Sequence, residues 1–394
     1  MKNSKAMDYK ARQVGKKNNC IHRNTTQAQK NDFAHFMLKE INEQPKTLEN
    51  FLSSRINKKT HKIEFLQGEI SKEALGSLKD IFIIACGTSY HAGLVGKYII
   101  ESLCRIPVRV EVSSEFHYRD PLIGPNTLII AISQSGETAD TLSGVGLARA
   151  RGARVFTICN VLDSTLTRKS DGTIHTNTGL EVGIAATKTY TTQLAALYLF
   201  ALHLAKVKNI LPPGKIHKLI KELRKTPKYI EVILKNQNQI ASIARKHSNC
   251  EAFLYLGRNI NYPSALEGAL KLKEVSYIPA EGYAGGELKH GPIALIDERR
   301  MAVCIAPQSR VYDKMVLSMR EIRLRKGKII AIVSKNDSAV KALTHGTIFI
   351  PKINELFSPL LVAIPLQLLA YYIAAKKGYN VDQPRNLTKA VTVE

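Results

Sequence analysis

Six residues, Ser133-Gln134-Ser135-Gly136-Glu137-Thr138, interrupt an apolar run (Leu128 to Ile132), and Ala139, Leu142 and Val145 then resume apolar spacing suited to a helix. Hydroxyls and a glycine set between a buried strand and a helix suit an anion. The first turn of a helix leaves backbone N–H groups unpaired and carries the positive end of the macrodipole. Side-chain hydroxyls and close backbone approach at a glycine turn that end into a phosphate site. A single serine would serve as an ordinary cap. Three hydroxyls within six residues point instead to a phosphate cup.

The elements that must position this cup follow from the hydropathy pattern. Residues 80–87, 127–133 and 153–160 read as buried strands, 108–116 alternates like a strand, and helical spacing runs over 91–106 and on through Ala150. That is the alternation of a parallel sheet covered on both faces. Roughly 170 residues later the order returns, with strand-like 251–259, helical 262–276, and strands at 300–309 and 327–335. Residues 211–247 between the halves read as a helical connection. We therefore expect two duplicated doubly wound α/β domains. The cup belongs to the first alone, because Arg310, Val311 and Tyr312 follow Gln308-Ser309 in the second. Ligands of such sheets sit at the carboxyl ends of strands, which brings Cys86-Gly87-Thr88-Ser89 toward the same place.

A length of 394 residues suits two domains. The apolar runs near Ala195–Leu204 and Leu360–Ala375 read as broken by His203 and by Pro365 and Gln367, so no membrane span is expected. The N-terminus is basic without an apolar core, so no secretory signal is read, and the six scattered cysteines lack metal spacing. These features suggest a cytoplasmic protein. A net charge of +24 invites nucleic acid. Apart from an excess in the first 31 residues, however, the basic residues are spread along the chain without an aromatic or zinc-finger pattern, and an anionic sugar phosphate explains them equally well. No nucleic-acid partner is expected.

"ACGTSYHAG", "SQSGETADTL", "EVGIAATKTYTTQL", "ALEGALKLKEVSYIPAEGYAGGELKHGP" and the terminal "DQPRNLTKAVTVE" resemble the isomerase half of the glutamine–fructose-6-phosphate aminotransferase (isomerizing) family over roughly residues 32–394. The resemblance implies two sugar isomerase (SIS) domains with flavodoxin-like layers and a C-terminal lid tail. The expected organisation is a disordered basic extension at 1–31, SIS domains at 32–210 and 248–378 joined by 211–247, and a catalytic tail at 379–394. It further implies interconversion of fructose 6-phosphate and glucosamine 6-phosphate, by a homodimer that needs neither metal nor cofactor. Thr88, Ser89, Ser133, Gln134, Ser135 and Thr138 then match the family's phosphate and sugar contacts, with the Ala185-Ala186 backbone beside them.

Glu274 matches the family's proton-shuttling base, with Lys271 one turn before it on the same helix face. His290 matches the ring-opening histidine, reaching into the neighbouring subunit's site. Lys389 matches the lysine that forms an imine with the open-chain ketose. Its flanking Leu387 and Val391 read as apolar anchors for a lid that excludes water. Outside this context, "LKLKE" is a surface ion pair, His290 a loop residue and Lys389 a solvated cation.

Two departures stand out. Ala186 replaces the family's usual serine, and Met1 is followed by Lys2 and Asn3, with Cys20 the first cysteine. The family's N-terminal cysteine nucleophile for glutamine is therefore not expected, and nitrogen would come as ammonia, free or from a separate glutaminase. Deamination of glucosamine 6-phosphate and a non-catalytic sugar-phosphate regulator remain the alternative readings.

Overall fold

The computed structural model describes residues 29–57, 60, 62–64 and 70–393. The basic extension, apart from its last three residues, and Cys20 lie outside the described residues. Ten strands form two sheets. The first holds β1 (Asp80–Ala85), β2 (Val108–Val112), β3 (Thr127–Ser133), β4 (Arg154–Cys159) and β5 (Gly172–His175), in the order β2-β1-β3-β4-β5. The second holds β6 (Phe253–Gly257), β7 (Ala280–Ala284), β8 (Met301–Ala306), β9 (Lys328–Ser334) and β10 (Gly346–Ile350), in the order β7-β6-β8-β9-β10. All pairings between these strands are parallel. Both orders are the flavodoxin-like doubly wound one, whose switch point lies between the first and third strands of each sheet.

Thirteen α-helices accompany the sheets among the described residues. The first half carries α1 (Phe36–Arg55), α2 (Lys72–Gly76), α3 (Gly87–Cys104), α4 (Ser113–Tyr118), α5 (Ala139–Ala150), α6 (Thr165–Arg168) and α7 (Lys188–Val207). Then follow α8 (Pro213–Leu223), α9 (Thr226–Lys235) and α10 (Gln237–Lys246), which lie in sequence between the two sheets, and α11 (Tyr262–Ser276), α12 (Tyr312–Leu324) and α13 (Ser358–Lys376). One cluster of buried apolar side chains runs through both halves, drawing on α3, α7, α11 and α13. The two sheets therefore share a core, and each fully buried Leu or Ile there stabilises by about 1.5–3 kcal/mol.

Three expectations need correction. Residues 113–116, read as part of a strand, are the start of α4, because Val112 already ends the pairing with β1. Helix α3 begins at Gly87 rather than at His91, which places Thr88 and Ser89 in its first turn. His203, Pro365 and Gln367 break nothing, since α7 and α13 run continuously through them. Pro365 is tolerated inside α13, and Gln367 is satisfied by accepting from Gln44 Nε2 (2.7 Å) and donating to the Thr187 carbonyl (3.3 Å). The stretch Glu355–Lys376 is thus long and apolar enough to cross a bilayer, but 89% of its apolar window is buried inside the protein. It is the central helix of the core.

Candidate active site

The carboxyl end of the first sheet opens into a cavity of about 340 Å³ whose walls come from five separate segments. After β1, Cys86 to Ser89 turn into α3, and Gly87 takes a left-handed φ of 52°. After β3, residues 133–138 form the cup. Gly136 there has φ 69°, and a Cβ on it would meet Ser164 Oγ at 2.1 Å, so no side chain fits. The segment between β5 and α7 adds Ile184 and Ala186. Helix α11 of the second half adds Lys271 and Glu274 from the opposite side, and residues 387–391 of the tail close over it.

Hydrogen bonds shape the cup. Ser133 Oγ accepts from Gly136 N (3.0 Å) and lies 3.0 Å from Thr138 Oγ1, while Ser135 Oγ accepts from Glu137 N (3.2 Å). Ser89 Oγ accepts from Gln193 Nε2 (3.0 Å). Because these oxygens accept from the protein, their own O–H groups are left to donate, which is what an anion needs.

The far wall is a buried charge cluster. Lys271, 1% exposed, forms an ion pair with Glu274 Oε2 at 2.5 Å. Its ammonium donates to Thr88 Oγ1 (2.9 Å) and stands 3.6 Å from Glu267 Oε1. Burial works against the Lys271 charge, yet the Glu274 and Glu267 carboxylates outweigh it and hold its pKa above the usual lysine range. Glu267 in turn accepts from Thr88 Oγ1 (3.2 Å) and meets His91 Nδ1 at 2.8 Å. Stripping one partner from such a pair costs roughly 3–5 kcal/mol.

The tail is held by polar contacts. Lys389 Nζ donates to Glu181 Oε2 (2.7 Å) and to the Gly183 carbonyl (2.6 Å), and Ala139 N donates to the Val391 carbonyl (3.3 Å). Asp382 accepts from Phe36 N and Met37 N at the start of α1. Leu387 and Val391 line the cavity but are 38% and 57% exposed, so the expectation of apolar anchoring is corrected. An ammonium drawn to a buried carboxylate is the charged contact among those that hold the tail.

Glu181 is fully enclosed and also accepts from Thr187 N, Thr189 N and Thr189 Oγ1. Burial opposes its charge, but Lys389 and these donors hold its pKa below the usual carboxylate range. Beneath it, Glu40 accepts from Val182 N and Gly183 N, with its other oxygen buried and unpartnered. Burial first, and the neighbouring Glu181 charge second, push Glu40 up to about 8.

The structure thus brings together Thr88, Ser89, Ser133, Gln134, Ser135, Thr138, Ala186, Lys271, Glu274 and Lys389. Ala185 is buried behind the wall rather than in it. His290 follows a short 3-10 turn (Glu287–Lys289), is exposed, and does not line the cavity of its own chain. Sequence reasoning passed over Glu181, Glu267 and Glu40. Glu267 was signalled by its place four residues before Lys271 on the same helix, and Glu181 lies inside a quoted motif. Glu40 had no sequence signal, because α1 meets the loop only in the fold.

Comparison with known proteins follows this geometry. The SIS domain family model matches residues 75–203 and 248–377. Glutamine–fructose-6-phosphate aminotransferase (isomerizing) of Bacteroides thetaiotaomicron is 47% identical over 93% of this chain, and its counterpart from Clostridium acetobutylicum is 45% identical over 97%. The chain spans 60% and 62% of the length of these two relatives. The structure of the C-terminal domain of glucosamine-fructose-6-phosphate aminotransferase from Francisella tularensis superposes with a TM-score of 0.86 at 40% identity, covering 90% of this chain and all of that one. A glucosamine-6-phosphate deaminase from Thermotoga maritima, 22% identical with a TM-score of 0.72, shares the fold. The chain is therefore a tandem SIS-domain protein of the glutamine–fructose-6-phosphate aminotransferase (isomerizing) family, corresponding to that family's C-terminal domain.

Proposed function

We propose that the cavity converts fructose 6-phosphate and ammonia to glucosamine 6-phosphate and water. The observation that carries this reading is the meeting of an amine, a carboxylate and a hydroxyl-lined cup on the walls of a single cavity: Lys389, Glu274 and residues 133–138. The cup and Ser89 take the phosphate, anchoring the sugar with its open chain toward α11 and the tail. Lys389 attacks the C2 carbonyl through an unprotonated amine, water leaves, and an imine forms. In the resting state its ammonium is paired with Glu181, 2.7 Å away, so Glu181 is the nearest acceptor for the proton that must go. Glu274, facing the cavity beside Lys271, takes the proton from C1 and returns it to C2. Ammonia enters before that shift: it adds to the imine carbon and displaces the lysine amine, so that the proton moved from C1 to C2 turns a C2 imine into the amine and the C1 alcohol into the aldehyde.

Ring opening is an acid–base step separate from the proton shuttle, and among the described residues no imidazole lines the cavity. We assign it to His290 of a second copy, which makes the working unit a homodimer. Nitrogen arrives as ammonia, free or released by a glutaminase. The described cysteines are unpaired, which suits a reducing, cytoplasmic setting. Deamination is the same chemistry reversed and uses the same residues.

The test is an assay of full-length protein with fructose 6-phosphate and ammonium, following glucosamine 6-phosphate by mass. Product dependent on ammonium supports the reading. A protein that binds the sugar phosphate, yet neither makes product nor exchanges the C1 proton, is a regulator instead.

A further inference from the structure

The second sheet ends in a turn that repeats the first. Gly87 after β1 and Asn259 after β6 both adopt left-handed backbone, with φ 52° and 54°. Counting back equally from these turns, Ile81 pairs with Leu128 in the first sheet and Phe253 with Met301 in the second. Ser133 at the end of β3 therefore corresponds to Ala306 at the end of β8. The hydroxyl is lost there, but a negative group is held all the same. Glu355, between β10 and α13, accepts from Arg310 N through Oε2 (3.0 Å) and from Asn259 Nδ2 through Oε1 (2.6 Å). Arg310 Nε stands 3.3 Å from the same Oε1. A backbone amide, a side-chain amide and a guanidinium converging on one carboxylate are the donors that a phosphate would use.

The matching segment of the first half, between β5 and α7, leaves its cup open to the cavity and turns its own carboxylate, Glu181, back toward Lys389. In the second half the segment is pinned where it stands. Leu356 N donates to Asn354 Oδ1, Tyr198 OH to the Leu356 carbonyl and Ser358 Oγ to the Glu355 carbonyl. A smaller cavity of about 240 Å³, bounded by Tyr98 and Ser102 of α3, opens onto Asn259, Arg310 and Glu355.

We propose that the carboxyl end of the second sheet is an anion site for a phosphate monoester, filled by the chain's own Glu355, which restricts sugar-phosphate binding to the first half. A tethered carboxylate acts at a high effective concentration, so a free anion competes poorly while it is present. None of these residues touches the cavity of the first sheet, so the site stands or falls apart from the catalytic reading.

The test is calorimetric titration of the full chain with inorganic phosphate. Glu355→Ala should gain a second phosphate per chain, binding at least ~10-fold more tightly there than in wild type. Adding Arg310→Ala to that variant should abolish the second site and keep the first. An unchanged stoichiometry in Glu355→Ala, or a second site that survives the loss of Arg310, overturns the proposal. Should Glu355→Ala not fold, wild-type protein is titrated well beyond saturation of the first site while the Arg310 amide resonance is followed. Movement of that resonance supports the site, and a stationary resonance counts against it.

Discussion

The two sheets share strand order, turn geometry and a common core, yet only one end of the pair brings a hydroxyl cup, the tail lysine and the α11 carboxylate to one cavity. At the first, β3 delivers Ser133 to a cup of hydrogen-bonded hydroxyls, and the segment before α7 contributes the apolar Ile184 and Ala186 to the cavity wall. At the second, Ala306 stands where Ser133 does, and the segment before α13 delivers Glu355 into the turn. The lesson is that the fold fixes where a ligand can sit, while a few side chains at loop positions decide whether it does. Both segments carry a buried or half-buried carboxylate. In the first it restrains the tail lysine, and in the second it occupies the anion position itself.

The sharpest way to break this contrast is to replace Glu274, the proposed base of the first cavity. Glu274→Gln should keep sugar-phosphate binding and lose turnover by roughly 10²-fold or more. Deuterium exchange at C1 of fructose 6-phosphate, followed by NMR, reads the step directly. Exchange at the wild-type rate would remove Glu274 from the mechanism.

A smaller effect belongs to the cup. Ser133→Ala with Thr138→Ala removes two charge-assisted contacts, each contributing roughly 1.5–3 kcal/mol, and should raise KM for fructose 6-phosphate well beyond tenfold. An unchanged KM would place the phosphate elsewhere.

Glu40, beneath the tail, gives the first half a pH signature. Glu40 keeps its proton in the fold up to about 8, whereas an ordinary glutamate releases it near 4.5. Between those values the folded chain binds more protons than the unfolded one, so this residue's contribution to stability falls as pH rises. Glu40→Gln should therefore remove that falling contribution, so that stability read by denaturant titration changes more favourably with rising pH than in wild type across that window. Equal slopes in the two proteins would contradict the assignment. The smallest effect is expected at Ser309, the nearest hydroxyl after β8: Ser309→Ala should leave stability and KM within about 0.5 kcal/mol of wild type.

Much of this was legible before any coordinates. Apolar runs bounded by Gly and Ser located β1, β3, β4, β8 and β9, because strands buried on both faces read as continuous apolar text. Short strands such as β5 and β10 were not singled out, since four or five residues beside polar turns carry little period. The cup, Lys271 and Glu274 were visible because their chemistry depends on local spacing. Glu40 and the pairing of Lys389 with Glu181 depend on contacts across 142 and 208 residues of chain, which no local pattern encodes. The tail misled for the same reason. Leu387 and Val391 suggested apolar anchoring, and only the fold shows that a buried carboxylate holds the lysine between them.

The central claim is that Lys389 carries the sugar as an imine. Borohydride added to the full chain with fructose 6-phosphate, followed by proteolysis and mass spectrometry, tests it most directly. The account predicts one reduced sugar-phosphate adduct, located on Lys389 and absent from a folded Lys389→Ala variant. An adduct on Lys271 or Lys188, or turnover with no trapped adduct at all, would contradict it.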